Sequence, residues 1–266
     1  MKFSIIVVCL NPGEKLQQTL TNILGQTYTD FEIVIKDGGS KDGSPELVKE
    51  NFKDERICIY EERDRSIYNA MNQAVGYAKG EFVIFMNCGD LFYSKDVLAK
   101  AAKQIDAHPH PENLVLYGDT YGEKNDVMIA APPAITGFTC YRNIPCHQAC
   151  IYAAGLCKAK PFTENYKIRA DYDHFLWCYY VSKADMVYLN FPVASYEGGG
   201  YSESKENRKR DKEEHRQITS SYMSKGELLR YRGIMLLTLA PLRSFMAESK
   251  VFAGVYHWLK DRLYRK

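Results

Sequence analysis

The residues of this 266-residue chain best suited to chemistry are carboxylates that follow apolar runs. The run Phe82 to Met86 stops abruptly at Asn87-Cys88-Gly89-Asp90. A hard divalent cation takes oxygen ligands and is commonly held by one or two carboxylates plus substrate phosphates, so Asp90 has the chemistry of an Mg²⁺ or Mn²⁺ ligand. Gly89 before it leaves room for a diphosphate. A turn or capping aspartate is the alternative. Asp37 closes a second apolar run and leads into Gly38-Gly39-Ser40-Lys41-Asp42-Gly43-Ser44, where Ser44 and Pro45 read as the start of a helix. A carboxylate placed there can accept hydrogen bonds from a nucleobase, and the glycines let a ligand approach the backbone. Ala170-Asp171-Tyr172-Asp173-His174 sets two carboxylates at a helix start, where the dipole favours negative charge. One of them is a candidate general base toward a substrate hydroxyl. Two surface residues on one helical turn are the alternative.

Elements must bring these positions together, and the first half of the chain supplies them in alternation. FSIIVVC (3–9), FEIVIKD (31–37), RICIYEE (56–62), EFVIFMN (81–87) and residues 114–119 read as strands, the first as one covered on both faces. Residues 13–26, 66–79 and 95–107 read as helices, most clearly the second, where Ile67, Ala70, Met71, Ala74, Val75 and Ala78 recur at helical spacing. The alternation predicts an α/β fold with a doubly wound, mainly parallel sheet flanked by helices. Ligands of such sheets sit outside the carboxyl ends of the strands. That rule gathers Cys9 and Asn11, Asp37, Asp64 and Asn87 to Asp90 along one rim.

After about residue 120 the pattern loosens. Residues 131–150 read as loop, 168–183 as a helix, 185–190 as a strand and 196–204 as a glycine-rich loop able to close over a ligand. The mixed charges of 205–217 read as a solvated helix. Residues 226–266 read as an amphipathic helical tail, giving a division into 1–120, 121–225 and 226–266. From Lys225 onward there are nine Lys or Arg and three Asp or Glu, against a whole-chain net of +2. Val251, Phe252, Val255, Tyr256, Leu259 and Leu263 share one face of the tail, with Lys260, Arg262, Arg265 and Lys266 at its end. Such a segment suits an anionic membrane surface, or packing on the domain or on a second subunit as a homodimer.

Several function classes are excluded. No GxGxxG follows a strand and no GxxxxGK[ST] occurs, so neither a dinucleotide fingerprint nor a P-loop is present. No apolar run reaches 18 residues, and the N-terminal MKFSIIVVCL reads as a first strand rather than a signal peptide, which points to a cytoplasmic protein, peripheral on the membrane at most. The eight cysteines read as reduced thiols, because the Cys140, Cys146, Cys150 and Cys157 group beside His147 matches no common zinc spacing. No basic groove interleaved with aromatics marks a nucleic-acid binder.

Taken in order, FSIIVVCLNPGEKLQQTLTNILGQTYTDFEIVIKDGGSKDGS, DRSIYNAMNQAVGYAKGEFVIFMNCGD, CHQACIY and KIRADYDHFL resemble the family 2 glycosyltransferases of the GT-A fold, over roughly residues 2–200. The similarity is greatest to the bacterial branch that acts in capsule, exopolysaccharide or O-antigen assembly. The resemblance implies a nucleotide-sugar donor, with Cys9, Asn11, Asp37, Asp64 and Asn87 around the nucleotide, Asp37 on a base that is typically uracil, and Asn87 to Asp90 in the place of a DxD motif. Asp171 matches the general base, and His147, Gln148 and Asp173 fall to the sugar or acceptor. Asn87 and Gly89 replace both acids of a strict DxD, which leaves Asp90 as the carboxylate for Mn²⁺ or Mg²⁺. Ala170 replaces a family glutamate, and Met71 stands where many relatives carry arginine. A QxxRW motif is absent near 171–200. The expected activity is inverting transfer of a single sugar to a polysaccharide or lipid-linked saccharide. A nucleotidyltransferase is the rival enzyme, though Asn11-Pro12-Gly13-Glu14-Lys15 is a poor match to its basic loop. A decayed nucleotide-sugar-binding or membrane-adaptor protein is the non-enzymatic alternative.

Overall fold

The computed structural model describes residues 1–198 and 207–238. The expected glycine-rich lid beyond Gly198 and the basic amphipathic tail beyond residue 238 lie outside the described residues. Residues 1–218 form one compact unit, and the described residues from Thr219 to Thr238 belong to a second.

The first unit is built on the strands that the apolar runs announce. Strands β1 (Phe3–Cys9) and β2 (Phe31–Asp37) are buried at every position, as a strand covered on both faces requires. They pair in parallel, Phe3 opposite Phe31 and Cys9 opposite Asp37. Strand β3 (Ile57–Glu61) lies parallel beyond β2, and β4 (Phe82–Phe85) lies parallel on the other side of β1. Helices α1 (Glu14–Leu24), α2 (Ser44–Asn51) and α3 (Ile67–Tyr77) are the crossovers. Helix α3 starts at Ser66, whose hydroxyl accepts from the Asn69 N–H at 3.2 Å. It buries Ala70, Met71, Ala74 and Val75, the face its periodicity marks.

The remaining strands, β5 (Leu91–Phe92), β6 (Leu114–Gly122), β7 (Val127–Ile129), β8 (Cys150–Ala153) and β9 (Asp185–Tyr196), give the sheet order β3-β2-β1-β4-β8-β6-β9-β5, with β7 paired to β6. Helix α4 (Val97–Asp106) precedes β6. Chain order reverses at β1, which has β2 on one side and β4 on the other. The carboxyl ends of β1 and β4 therefore flank a topological switch point, where open α/β sheets bind ligands.

Two stretches depart from expectation. Residues 131–150 are not all loop: α5 (Gly137–Arg142) forms there, and β8 begins at Cys150. Thr136 and Thr139 make a reciprocal capping box that starts this helix. Strand β8 inserts antiparallel between β4 and β6, so the sheet is mixed beyond β4. The charged stretch read as 205–217 is α8 (Asn207–Tyr222), and it is not simply solvated, because Glu214 and Ile218 are buried. Helices α6 (Ala154–Ala159) and α7 (Ala170–Tyr180) complete this unit. In the second unit α9 (Lys225–Leu237) starts at Ser224, whose hydroxyl and backbone share a capping box with Glu227. Among the described residues no helix is long and apolar enough to cross a membrane.

Candidate active site

Two cavities adjoin at the carboxyl ends of β1 and β4. The larger, about 460 Å³, is lined by Asp171, Tyr68, Asn87, His147 and Gln148 with aliphatic walls that include Ile67, Met71 and Ile168. The smaller, about 390 Å³, is lined by Cys9, Asp64, Arg65 and Ser66. Ile67 lines both, so the two cavities adjoin on either side of its side chain, one at the end of β1 and the other at the start of α7.

Asp171 sits in the first turn of α7 and faces the larger cavity. The Tyr68 hydroxyl stands 3.1 Å from its Oδ1 and 2.6 Å from the Ile168 carbonyl oxygen, bridging α3 to the entry of α7. Burial and the Asp171 charge push the Tyr68 phenol well above its ordinary value, so it stays a neutral donor. Tyr68 carries no obvious chemistry in the sequence; its signal is its place in IYNAMN, in the first turn of the most regular helix. Asp173 is not in the cavity. Two residues along a helix are about 200° apart, so Asp173 turns the opposite way from Asp171. It is buried against Lys160, 3.0 Å from its Nζ, and accepts from the Thr163 hydroxyl at 2.7 Å. Asp173, expected at the sugar or acceptor, thus lies apart from the cavity that Asp171 faces.

The strand that ends on an amide, a glycine and a carboxylate does so to make a turn. The Asp90 N–H donates to the Asn87 carbonyl at 3.0 Å, with Gly89 at φ +98°. Only glycine takes that conformation without strain. Thr19 of α1 fixes the turn: its hydroxyl accepts from the Gly89 N–H at 2.9 Å and donates to the Asp90 carbonyl at 3.1 Å. Asn87 then faces the cavity with its amide 3.2 Å from His147 Nε2. Burial pulls the His147 pKa down, which suits a neutral ring accepting from that amide. The Asp90 carboxylate lies behind Gln148, whose Nε2 donates to Oδ2 at 2.8 Å, while Cys146 Sγ donates to Gln148 Oε1 at 2.7 Å. Burial pushes the Asp90 pKa up to about 6, although the Gln148 hydrogen bond opposes the shift. Asp90 is 4% exposed and reaches the cavity wall through Gln148.

The rim residues at β1 and β2 divide into two kinds. Cys9 and Asp64 line the smaller cavity. Asp37 and Asn11 line neither; both tie the adjoining loops together. Asp37 Oδ2 accepts from the N–H groups of Gly39 and Ser40, each at 2.8 Å, and Oδ1 accepts from the Cys9 thiol at 3.5 Å and from the Ser40 hydroxyl. Burial disfavours its charge, but the Ser40 and Gly39 hydrogen bonds outweigh that and hold its pKa below the usual value. Asn11, at φ +49°, accepts from the Lys41 N–H through Oδ1 at 2.8 Å and donates from its own N–H to Ser40 Oγ at 2.7 Å. The Asp37 carboxylate expected to face a base is therefore occupied by its own loop.

Asp64, half-buried, lines the cavity instead, set there by a residue the sequence does not advertise. Lys36 is fully buried; its ammonium donates to the Asp37 and Glu62 carbonyls and lies 3.6 Å from Asp64 Oδ2. A buried ammonium needs such partners. The Asp64 carboxylate lies directly against Gly38, and a Cβ there would collide with Oδ2. Gly38→Ala is accordingly expected to displace the Asp64 side chain with little change in thermal stability. A crystal structure and a melting curve of the variant check this; an Asp64 carboxylate left in place would contradict it.

Among the described residues no group of three or more His, Cys, Asp or Glu side chains could hold a metal ion by protein ligands alone. A single carboxylate such as Asp90 suits a hard cation whose other ligands are phosphate oxygens and water, and Gln148, which stands between Asp90 and the cavity, would have to turn aside for it to serve.

Comparison with known proteins gives this arrangement its relatives. The family model described as glycosyl transferase family 2 matches residues 4–133. The chain is 35% identical over 204 residues, 75% of its length and 78% of the relative's, to a PGL/p-HBAD biosynthesis glycosyltransferase of Mycobacterium bovis. It is 29% identical to the Escherichia coli UDP-Glc:alpha-D-GlcNAc-diphosphoundecaprenol beta-1,3-glucosyltransferase WfaP, covering 68% of this chain and 70% of that one. Its fold matches S. aureus TarS 1-349 with a TM-score of 0.62 at 23% identity, over 74% of this chain and 60% of that one. Against the TarS complex with UDP the TM-score is 0.66 at 21% identity, over 94% and 76%.

Proposed function

Because the chain belongs to glycosyl transferase family 2 and has the GT-A fold, we propose that it transfers one sugar from a UDP-sugar, with inversion, to a lipid-linked saccharide. One observation carries the reading: a carboxylate that a buried tyrosine meets, Asp171, faces a cavity that adjoins a second one of about 390 Å³ at the switch point of the sheet. The uridine would lie in the smaller cavity beside Cys9 and Asp64, over the loops that Asp37 and Asn11 fix. The diphosphate would reach the Asn87 to Asp90 turn, and the acceptor would enter the larger cavity near His147 and Gln148. The similarity to WfaP, whose name specifies a diphosphoundecaprenol-linked acceptor, supports a lipid-linked one here.

In this mechanism Asp171 takes the proton of the acceptor hydroxyl as its oxygen attacks the anomeric carbon. The bond from that carbon to the diphosphate oxygen breaks, and UDP leaves with the bonding pair. Tyr68 holds the carboxylate oxygen in place, and the aliphatic walls keep water from competing with the acceptor. Asp90 would hold Mn²⁺ or Mg²⁺ together with the donor phosphates once the Gln148 amide turns off its Oδ2. That cation, when bound, offsets charge on the leaving diphosphate.

The test is release of UDP from UDP-glucose and UDP-N-acetylglucosamine in the presence of an N-acetylglucosaminyl diphospholipid. UDP appearing with acceptor consumption in a one-to-one ratio supports the reading. Pyrophosphate released from a nucleoside triphosphate and a sugar phosphate, with no UDP, would instead make the protein a nucleotidyltransferase.

A further inference from the structure

Asp171 is held by a segment whose backbone is pinned from outside its own helix. Helix α7 begins at Ala170, and its N-cap residue, Arg169, contributes no side-chain cap. The N–H groups entering a helix have no partners within it and need acceptors from elsewhere. Glu214 of α8 supplies one to the N-cap residue itself and holds the two residues that lead into it. Its Oε1 accepts from the Lys167 N–H at 2.9 Å, and its Oε2 accepts from Ile168 and Arg169 N–H at 3.0 Å each. The residue is 5% exposed, so a buried carboxylate is committed to three consecutive backbone donors.

The same segment is gripped on its other side. The Ile168 carbonyl accepts from the Tyr68 hydroxyl, the group that also meets Asp171. Residue 168 therefore has its N–H on α8 and its C=O on α3. Asp211, one turn before Glu214, takes the Arg169 guanidinium through Nε at 2.7 Å and Nη2 at 3.0 Å. That guanidinium lies 5.2 Å from the Tyr172 ring, which also stacks on His215 at 5.3 Å.

We propose that Glu214 is a positioning residue for the reaction: through its carboxylate, α8 fixes the entry to α7 and so the place of Asp171. The proposal rests on Asp171 being the base. A base must lie within hydrogen-bond reach of the hydroxyl it deprotonates, and a misplacement of about 1 Å costs roughly 10²-fold. The N-cap residue of α7 supplies no side-chain cap, and the contacts that Asp173 makes lie on the far side of the helix, so the backbone just before Asp171 is held from α8 and α3. Glu214→Gln keeps the size but puts an N–H₂ group against backbone N–H donors, so the three bonds cannot all survive.

A four-way comparison tests it: wild type, Glu214→Gln, Asp171→Asn and the double variant, each assayed for turnover and for UDP affinity. Glu214→Gln is expected to lower kcat about 10–100-fold with UDP affinity unchanged. In the Asp171→Asn background it is expected to cost nothing further, because it acts through that carboxylate. A general weakening of the fold would lower turnover in both backgrounds by the same factor, and that result overturns the proposal. Wild-type kcat in Glu214→Gln overturns it also. Wild-type turnover in Asp171→Asn would remove the base, and the positioning role with it. Should Glu214→Gln fail to fold, Asp211→Asn carries the test, because it loosens Arg169 and leaves Glu214 in place. A several-fold loss of kcat that vanishes without Asp171 supports the proposal, and an equal loss in both backgrounds refutes it.

Discussion

Asp171→Asn is expected to lower turnover by about 10²–10⁴-fold, the usual worth of a positioned general base. The amide keeps the size of the side chain and an oxygen near the Tyr68 hydroxyl, 3.1 Å from Oδ1 in the wild type. It cannot take a proton from an acceptor hydroxyl. The smaller cavity, where the nucleotide is proposed to bind, contains no part of Asp171. UDP affinity should therefore stay within about twofold, and the loss should fall on kcat rather than on donor binding. Stopped assays of UDP release, together with calorimetric titration of UDP, separate the two quantities. Turnover like that of wild type would remove Asp171 from the mechanism.

The second large effect belongs to Asp90. Losing the charge that would hold a cation on the diphosphate is expected to cost several kcal/mol of leaving-group stabilisation, about 10²–10³-fold in kcat/KM. Two replacements divide the electrostatic role from the packing role. Asn at 90 keeps an oxygen to accept from Gln148, whose bond to Oδ2 measures 2.8 Å, and removes only the charge. Ala removes both and leaves a buried amide without its partner, which costs stability as well. Both variants should lose activity and lose the sensitivity of UDP binding to a chelator. An active Asp90→Asn protein beside an inactive Asp90→Ala one would make the residue a structural anchor for Gln148 and no more.

Much of this was legible in the sequence where one physical signal dominates. The buried parallel strands β1, β2 and β4 announce themselves as unbroken apolar runs, and α3 by its helical period. Together they fix the switch point, and with it the rim to which Cys9, Asp64, Asn87 and Asp90 belong. Strand β8 was not legible, because Cys150-Ile151-Tyr152-Ala153 is short and sits among cysteines and a capping-box helix. Asp37 and Asp64 could not be ranked from the sequence either. Which carboxylate a turn consumes depends on hydrogen bonds from Gly39, Ser40 and Cys9 that only the folded loops create. Asp171 and Asp173 differ in a way the helical period does contain, since residues two apart face opposite sides. Glu214 shows the remaining gap. Its helix is polar through most of its length, and the partners that bury it lie 45 to 47 residues earlier in the chain. A charge run of that kind carries no local mark of which acid is taken inside.

The account stands on two adjoining cavities at the edge of the sheet, with nucleotide in one and Asp171 facing the other. A crystal structure of the protein with UDP and Mn²⁺ tests it most directly. The uracil is predicted beside Cys9 and Asp64, with the β-phosphate at the Asn87 to Asp90 turn, directed toward the cavity that Asp171 faces. A nucleotide bound with its diphosphate pointing away from that turn, or lying wholly outside the two adjoining cavities, would contradict it.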